Sequence, residues 1–314
     1  MLLFLAPMDG ITDTSCRQIV KKVFEKYWDK ESYQLMFVTE FVTADGFFHN
    51  PEKVKDHLDF HSSERPLIAQ IFGANEEKLL YTANKIDQTY DFDGIELNIW
   101  CPSPKIVKQW AWSGLMKNKK RTLDLIRKLS DVVSRPFSIK TRIGLNTEDK
   151  NDQFQFLLDA SKYCSMMTIH ARYYTQANSW ETDIDFVVKL KQECNSSCKI
   201  IYNGGIESSW MEDKDFLEKT ASLDGIMIWQ SAIWNPWVFV DYQPTWEERK
   251  EIILEHVKLM IERKWERRWL IEFRKFISNY ISNIRNASKY RVWLMDAKTF
   301  EEFSIVLDSI TEFR

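Results

Sequence analysis

Side chains that can do chemistry stand where successive apolar stretches of this sequence end. They comprise amides, cations, an imidazole and a thiol: Gln70, Asn98, Cys101, Lys140, Arg142, His170, Arg172 and Asn203. A cysteine thiol, with a pKa of about 8.5, is protonated at pH 7 and can donate a proton. Lysine and arginine can stabilise negative charge. Any one of these residues could be structural, but core packing does not explain all eight, so the pattern indicates a catalytic site.

The stretches that carry these residues have the length and composition of buried β-strands. Eight such runs occur, at positions 2–6, 36–40, 67–72, 94–98, 137–142, 166–170, 199–203 and 224–228. Near-continuous apolar runs are typical of parallel strands that are buried on both faces. Segments with helical periodicity, among them 76–86, 121–133 and 184–194, lie between them. This alternation predicts a (β/α)8 TIM barrel, in which the C-terminal ends of the strands meet on the catalytic face.

The alternation of strands and helices stops after Pro244. Only helical periodicity follows, at 247–260, 268–281 and 299–310. A chain of 314 residues can bury a complete barrel core and still supply a second, smaller domain. We therefore predict a barrel domain over residues 1–243 and a small C-terminal helical domain over residues 244–314.

The distribution of charge is uneven along the chain. Residues 258–298 contain eleven Lys and Arg against four acids, which gives this segment +7 and leaves −10 on the remainder of a chain with net charge −3. A basic segment of this kind is either an ordinary solvated helical surface or a surface that binds phosphate. Phosphate binding would make a nucleic acid the natural partner.

Several classes of protein are disfavoured by the sequence. Residues 1–7 are apolar but too short for a signal peptide, and no stretch is apolar enough to predict a membrane span. Five cysteines form no disulfide framework. Cys194 and Cys198 have a spacing found in metal sites, but no second pair of ligands completes a tetrahedral set. We expect a cytoplasmic monomer without a metal or a membrane partner.

Short motifs in a fixed order resemble those of the bacterial, FMN-dependent tRNA-dihydrouridine synthases. They read APMDGITD at 6–13, QIFG at 70–73, ELNIWCP at 96–102, KTR at 140–142, HAR at 170–172, NGG at 203–205 and NPW at 235–237. The EFRK sequence at 272–275 is similar to a motif of the family's helical domain. The resemblance covers nearly the whole chain and is specific as a set.

This resemblance implies FMN at the mouth of the barrel, reduced by NADPH, and hydride delivery to C6 of a uridine in tRNA. Backbone groups of Pro7, Met8 and Asp9 would meet the isoalloxazine, and Gln70 would bind its pyrimidine edge. Lys140 and His170 would support the reduced ring. The ribityl and phosphate groups would lie against Asn203, Gly204, Gly205, Trp229 and Gln230.

The resemblance also implies the catalytic acid and the groups that hold the substrate. Cys101 would donate a proton to C5 of the uracil after hydride reaches C6. The uracil or its phosphate would be held by Asn98, Arg142 and Arg172. The uracil must leave the base stack to reach the mouth of a barrel, so an accessory basic surface that binds RNA is expected. The +7 segment would supply that surface.

Tryptophan replaces glycine at six positions of the family pattern: Trp100, Trp110, Trp112, Trp180, Trp229 and Trp234. Glycine at such places allows positive φ or close approach of a ligand, and an indole would overfill the site. Composition agrees, because the chain has 9 glycines and 13 tryptophans, whereas glycine is usually about 7% of residues. Five more tryptophans stand in polar or loop-like surroundings, namely Trp28, Trp210, Trp265, Trp269 and Trp293.

These observations suggest that the natural organism reads UGA as glycine, so that these eleven positions are glycine in the protein it makes. Trp237 fits the family pattern, and Trp246 stays open. If the tryptophans are real, a catalytically silent tRNA-binding relative is the alternative. Gln230 stands where the family has arginine under either hypothesis, which removes a guanidinium from the phosphate site. A third possibility is an FMN barrel oxidoreductase of the dihydroorotate dehydrogenase type, which the basic segment disfavours.

Overall fold

A closed barrel of eight parallel strands accounts for most of the chain. The structure is a computed structural model that describes residues 1–28, 32–99, 115, 118–176, 180–233, 235–263, 266–282 and 284–310. The strand order is β2-β1-β9-β8-β7-β6-β5-β4, and pairing of β2 with β4 closes the barrel. The barrel strands are β1 (Leu2–Leu5), β2 (Gln34–Val38), β4 (Leu67–Phe72), β5 (Gly94–Asn98), β6 (Phe137–Arg142), β7 (Met166–His170), β8 (Lys199–Asn203) and β9 (Gly225–Ile228). A two-residue strand, β3 (Val42–Thr43), adds to β4.

Helices alternate with the strands along the chain. They are α1 (Thr14–Tyr27), α2 (Ala44–His49), α3 (Glu76–Thr89), α4 (Lys119–Val132), α5 (Lys150–Ala160), α6 (Ile184–Glu193) and α7 (Lys214–Thr220). Four of them begin at an Asn or Asp whose side chain accepts from a backbone N–H of the first turn: Asn75, Asn118, Asp183 and Asp213. Such caps satisfy amides that have no partner within the helix. They fix where each helix starts after its strand.

The chain beyond the barrel is helical, with α8 (Trp246–Arg263), α9 (Glu266–Tyr280), α10 (Ala287–Asp296) and α11 (Phe300–Asp308). Its core is aromatic, with Phe273 and Phe303 in edge-to-face contact at 5.5 Å. Contacts divide the protein into two compact units. Unit 1 comprises Met1–Thr14 and Lys30–Trp229, and unit 2 comprises Ser15–Asp29 and Gln230–Arg314. Helix α1 therefore belongs, except for its first residue, to the helical unit.

The structure confirms the predicted barrel followed by helices. Five strands, at 67–72, 94–98, 137–142, 166–170 and 199–203, end where the sequence predicted. Strand β2 lies two residues earlier than predicted, because exposed Gln34 pairs with Leu2 although its side chain gives no apolar signal. Helix α10 was not predicted. Among the described helices, none is long and apolar enough to cross a membrane.

Candidate active site

The interior of the barrel has an apolar part and a polar part. Phe4, Val38, Ile68, Met166, Ile201 and Met227 form one buried cluster. They come from six of the eight barrel strands, so this cluster lies in the barrel interior. Side chains two residues apart on a strand point to the same face. Gln70, Thr168 and Asn203 each follow a cluster residue by two, and therefore form a polar layer above it, toward the C-terminal ends of the strands.

A chain of three side chains links β4 and β5 within this polar layer. The amide Nε2 of Gln70 donates to Oε1 of Glu96 at 2.6 Å. Nδ2 of Asn98 donates to Oε1 of Gln70 at 3.0 Å. The hydroxyl of Thr168, on β7, lies 3.5 Å from the second oxygen of Glu96. Since β7 is two strands away from β5, this contact crosses the barrel interior.

Glu96 is fully buried within the strand that carries Asn98. Burial raises the pKa of its carboxyl from 4.5 to about 6, although the hydrogen bond from Gln70 and the charge of Lys140 oppose the shift. Loss of solvation disfavours the charged form of any buried acid. The polar layer therefore contains a carboxyl group that titrates close to neutral pH.

Lys140 and Asn203 connect the next pair of strands. Nζ of Lys140 lies 3.4 Å from Oδ1 of Asn203, and Nδ2 of Asn203 donates to the carbonyl of Met227 at 2.7 Å. The carbonyl can only accept, so it fixes the Asn203 amide with its oxygen toward the ammonium. The positive charge of Lys140 is thereby held at the end of β6, beside Asn98 in the strand register.

His170 lies among three cations at the end of β7. Burial, together with the charges of Arg142, Lys140 and Arg172, lowers the pKa of its imidazole from 6.5 to about 2. Its Nε2 lies 3.3 Å from NH1 of Arg172. A guanidinium can only donate, so Nε2 accepts and Nδ1 carries the proton. His170 is therefore a neutral hydrogen-bonding group at any physiological pH.

The two arginines of this group are fixed by backbone carbonyls. NH1 of Arg142 donates to the carbonyl of Tyr173 at 2.9 Å, and Nε of Arg172 donates to that of Trp180 at 2.6 Å. Both side chains are largely buried, at 4% and 6% exposure. Burial lowers the pKa of Arg172 from its ordinary value. Cations held in this way favour an anionic ligand, because they are already removed from most of the water that would solvate them.

The turn after β8 brings bare backbone close to these side chains. Gly204 and Gly205 have φ of 111° and 67°, and a Cβ on Gly204 would lie 2.7 Å from Cδ2 of His170. Glycine is the residue that adopts such conformations without strain. Successive backbone amides in a turn of this kind can bind an anion.

The loop after β1 lies beside the end of β9. Ala6 donates its N–H to the carbonyl of Ile228 at 2.9 Å. Of the residues that follow, Pro7 is half-buried, Met8 is buried and Asp9 is exposed. Gly10, with φ of 69°, donates to Glu40 at 2.5 Å. The structure thus places Pro7 and Met8 near the end of β9, which Trp229 follows directly.

Trp229 is half-buried at the C-terminal end of β9 and packs against the apolar cluster of the barrel interior. Its ring lies edge-to-face with that of His170, at a centroid distance of 6.4 Å. The indole therefore takes up space beside the polar layer, as expected for a tryptophan at a glycine position. Gln230 begins the second segment of unit 2, and its side chain is exposed.

Cys101, the predicted proton donor, lies outside the described residues. The same holds for the suspect positions Trp100, Trp110, Trp112, Trp234 and Trp265. The remaining predicted residues of the barrel mouth are brought together as direct contacts or as neighbours in the strand register, from Gln70 and Asn98 to Lys140, Arg142, His170, Arg172 and Asn203.

The sequence matches the family described as dihydrouridine synthase (Dus) over residues 4–313. The chain belongs to the dihydrouridine synthase family. This family is a family of enzymes. In barrel enzymes in general, the catalytic residues lie at the mouth formed by the C-terminal ends of the strands.

Relatives within the family match over nearly their whole length. A "Probable tRNA-dihydrouridine synthase" from Staphylococcus aureus is 28% identical, over 97% of this chain and 91% of the relative. Proteins with the same description from Helicobacter pylori and Rickettsia conorii are 27% and 25% identical. They cover 99% and 92% of this chain, and 91% and 87% of the relatives.

Sequence reasoning missed Glu96 as part of the polar layer of this dihydrouridine synthase family member. The signal was present, because Glu96 stands two residues before Asn98 in an otherwise apolar strand and so shares its face. A charged residue inside a buried strand is unusual unless it has partners. Glu40, which accepts a hydrogen bond from the backbone N–H of Gly10, is a second acid that lies outside these motifs.

Two of the suspect tryptophans are buried. Trp210 and Trp269 are 2% and 0% exposed, although their sequence neighbours are polar. Trp210 packs edge-to-face against Tyr33, and Trp269 lies within α9 against Phe303. Both indoles are buried between polar sequence neighbours, because a helix or turn can direct one side chain inward. Trp180 and Trp293 are exposed, at 60% and 42%.

Within the described residues, no group of three or more His, Cys, Asp or Glu side chains is placed to hold a metal ion. Cys194 and Cys198 carry thiols whose pKa is raised by burial, that of Cys198 to about 12. A protonated thiol is a poor metal ligand.

Proposed function

We propose that this chain reduces a specific uridine of tRNA to 5,6-dihydrouridine, with FMN bound at the barrel mouth and NADPH as the reductant. The observation that supports this most is the charge of the mouth, where Lys140, Arg142 and Arg172 surround a neutral His170. FMN carries a phosphate and gains negative charge on reduction, so it suits such a site. The descriptions of the bacterial relatives agree with this proposal.

The polar groups of the mouth fit a flavin. Gln70 offers the amide donors and acceptor that a pyrimidine edge requires. Lys140, held by Asn203, offers positive charge, and the amides of Gly204 and Gly205 lie where no Cβ would obstruct a phosphate. The indole of Trp229 does not fit, because it occupies space beside His170. A glycine at position 229, which the UGA hypothesis requires, would remove that obstacle.

When bound, FMN supplies the hydride that is added to C6 of the uracil. The protein's own groups then position the substrate and move the proton. Asn98, Arg142 and Arg172 would hold the uracil or its phosphate, and all three are at most 6% exposed. His170 would support the ring through its Nδ1 proton. Burial of these groups excludes water, which strengthens each polar contact with a ligand.

We assign the proton that reaches C5 to the thiol of Cys101. Replacing Cys101 by Ala should abolish dihydrouridine formation in tRNA without loss of bound flavin. The matched control is Cys194→Ala, whose thiol lies at the end of α6 and has a raised pKa. Equal activity of Cys101→Ala and the unmodified protein would contradict the assignment.

The helical unit would bind the tRNA through the +7 segment. Six of its basic side chains are exposed: Lys258, Arg274, Lys275, Arg285, Lys289 and Lys298. Reversing the charge of Arg267 and Arg268, whose side chains lie outside those described, should weaken binding and flatten its salt dependence. A loss of about one unit of slope is expected for each phosphate contact removed. Reversal of exposed Lys53 and Lys85, in the barrel unit, is the control.

The experiment that tests the proposed function combines flavin content with product analysis. The purified protein should carry FMN and, with NADPH, should form dihydrouridine in tRNA that lacks the modification. Bound FMN with turnover of a small dihydropyrimidine but no reaction on tRNA would instead support the dihydroorotate dehydrogenase type.

The identity of the suspect residues has its own test, since Trp229 favours the silent alternative if it is real. Peptide mass spectrometry of the native protein across residues 98–117 reads positions 100, 110 and 112. Glycine there supports the UGA hypothesis and an intact flavin site. Tryptophan there, together with absence of FMN from the native protein, supports a silent tRNA-binding relative.

A further inference from the structure

The inner wall of the barrel contains a carboxylate that the proposed reaction does not use. Glu96 is fully buried, and its two oxygens face two different strands. Oε1 accepts from Gln70 on β4 at 2.6 Å, and Oε2 lies 3.5 Å from the hydroxyl of Thr168 on β7. Burial of a carboxylate is costly unless such partners compensate it. These partners link Glu96 to one of the amides that we assign to ligand binding.

The contact with Gln70 has a fixed direction. An ionised carboxylate can only accept, so it must face the Nε2 end of the Gln70 amide. The Oε1 end then faces Asn98, which donates through Nδ2 at 3.0 Å. A Glu96 that carries its proton on Oε1 donates to Gln70 instead, and both amides would then be reversed.

We propose that Glu96 is a positioning residue that sets the hydrogen-bond direction of the Gln70–Asn98 pair, and that its protonation reverses it. Both amides belong to the set assigned above to flavin and uracil, so the consequence for a ligand rests on the proposed function. A heterocycle with a fixed order of donors and acceptors would bind to only one of the two arrangements.

The electrostatic surroundings of Glu96 make this change accessible near neutral pH. Burial raises the pKa of Glu96 to about 6, and the charged group that acts on it is Lys140 of β6, which opposes the shift. Gln70 from β4 and Thr168 from β7 contribute neutral hydrogen bonds that also oppose it. His170, on β7, stays neutral over this range because its own pKa is lowered to about 2.

The direct test observes the amides without any flavin. Side-chain amide signals of Gln70 and Asn98 would be recorded by NMR on selectively 15N-labelled protein, with Gln70→Ala and Asn98→Ala for assignment. Both signals should shift together, with a midpoint near the pKa of Glu96, between about pH 4.5 and about pH 7.5. The shift should be absent in Glu96→Gln and retained in Glu96→Asp, which keeps a titrating carboxyl.

A matched control is Glu64→Gln. Glu64 is also fully buried, lies in the same unit, and accepts from Thr14 and from the backbone N–H of His61. The Gln70 and Asn98 signals should keep their pH dependence in this variant. Signals that do not change with pH in the unmodified protein, or that change equally in Glu96→Gln, would overturn the proposal.

A second measurement separates this proposal from the proposed function. FMN affinity, followed by quenching of flavin fluorescence, should fall about tenfold in Glu96→Gln at pH 7.5, the equivalent of about 1.4 kcal/mol. Equal FMN affinity in the two proteins would overturn the consequence for the ligand. Failure of every variant to bind FMN would count against the proposed flavin function, while the amide signals would still decide the role of Glu96.

Discussion

The apolar half and the polar half of the barrel interior lie on the same strands but have different roles. Around Ile68, Met166 and Ile201 the interior is an apolar cluster, whereas two residues further along the same strands it contains Gln70, Thr168 and Asn203. The first half is stabilised by removal of apolar surface from water. The second half is costly to bury, and it is the half to which we assign ligand binding. Residues two apart on one strand face the same side of the sheet. The first of each pair therefore belongs to the stabilising cluster, and the second belongs to the proposed site.

The largest loss of stability on substitution is expected in the apolar half of the barrel interior. Phe4→Ala removes a fully buried ring from the cluster and should lower the free energy of unfolding by about 4 kcal/mol. Urea denaturation at pH 7 measures this loss. The folded fraction should keep its FMN affinity, because Phe4 does not belong to the polar layer. A variant that stays as stable as the unmodified protein would contradict the stabilising role of the apolar cluster.

His170 should give the next largest effect, and only in acid. Its pKa of about 2 in the folded protein lies below its ordinary value of 6.5. The unfolded chain therefore takes up a proton below pH 6.5 that the folded chain refuses, so stability falls as the pH falls. At pH 4.5 the loss is about 3 kcal/mol. Unfolding curves of His170→Gln should lack this acid-dependent loss.

The same substitution at exposed His49 is the control for that measurement. It should leave the steep loss of stability in acid in place. If His170→Gln retains the full pH dependence, then the three neighbouring cations do not keep the imidazole neutral.

Glu96 should act in the opposite direction and more weakly. Its pKa is raised from 4.5 to about 6, so the folded protein binds this proton more tightly than the unfolded chain does. Stability from this group is fully present below pH 4.5 and is lost as the pH rises to about 6, by about 2 kcal/mol in total. Thermal unfolding of Glu96→Gln across this range should show the loss removed. A steeper pH dependence in the variant would contradict this assignment.

The smallest effect is expected where the polar half meets the turn after β8. Gly205 has φ of 67°, and a Cβ there would lie 3.1 Å from a methyl of Thr182. Gly205→Ala should therefore lower the free energy of unfolding by about 1 kcal/mol, because alanine is strained at positive φ. A larger fall in FMN affinity than in stability would show that this backbone binds the ligand.

Much of the fold could be read from the sequence because parallel strands leave a strong apolar signal. Strands β4 to β8 were predicted to the residue, while β2 was displaced because Gln34 is polar and exposed. Helix α10 was not predicted because its apolar residues do not form one face: Val292, Trp293 and Met295 are exposed, and Leu294 is buried.

The site was partly predictable for a related reason. Residues at strand ends share one face of any parallel barrel, so Gln70, Lys140 and His170 could be grouped before their contacts were known. The direction of the Glu96–Gln70–Asn98 chain could not, because it depends on distances across neighbouring strands. The membership of α1 in unit 2 could not be predicted either, since its partners lie roughly 200 residues later in the chain.

That discontinuous unit has a consequence for synthesis. Helix α1 leaves the ribosome before the segment from Gln230 onward, which completes its unit. At about 5–20 residues per second, roughly 10–40 s separate the two. During this time Ile19, Val20 and Val23, all buried in the finished protein, have no native partners from the later segment. Until that segment is made, the apolar face of α1 should therefore remain uncovered on the nascent chain.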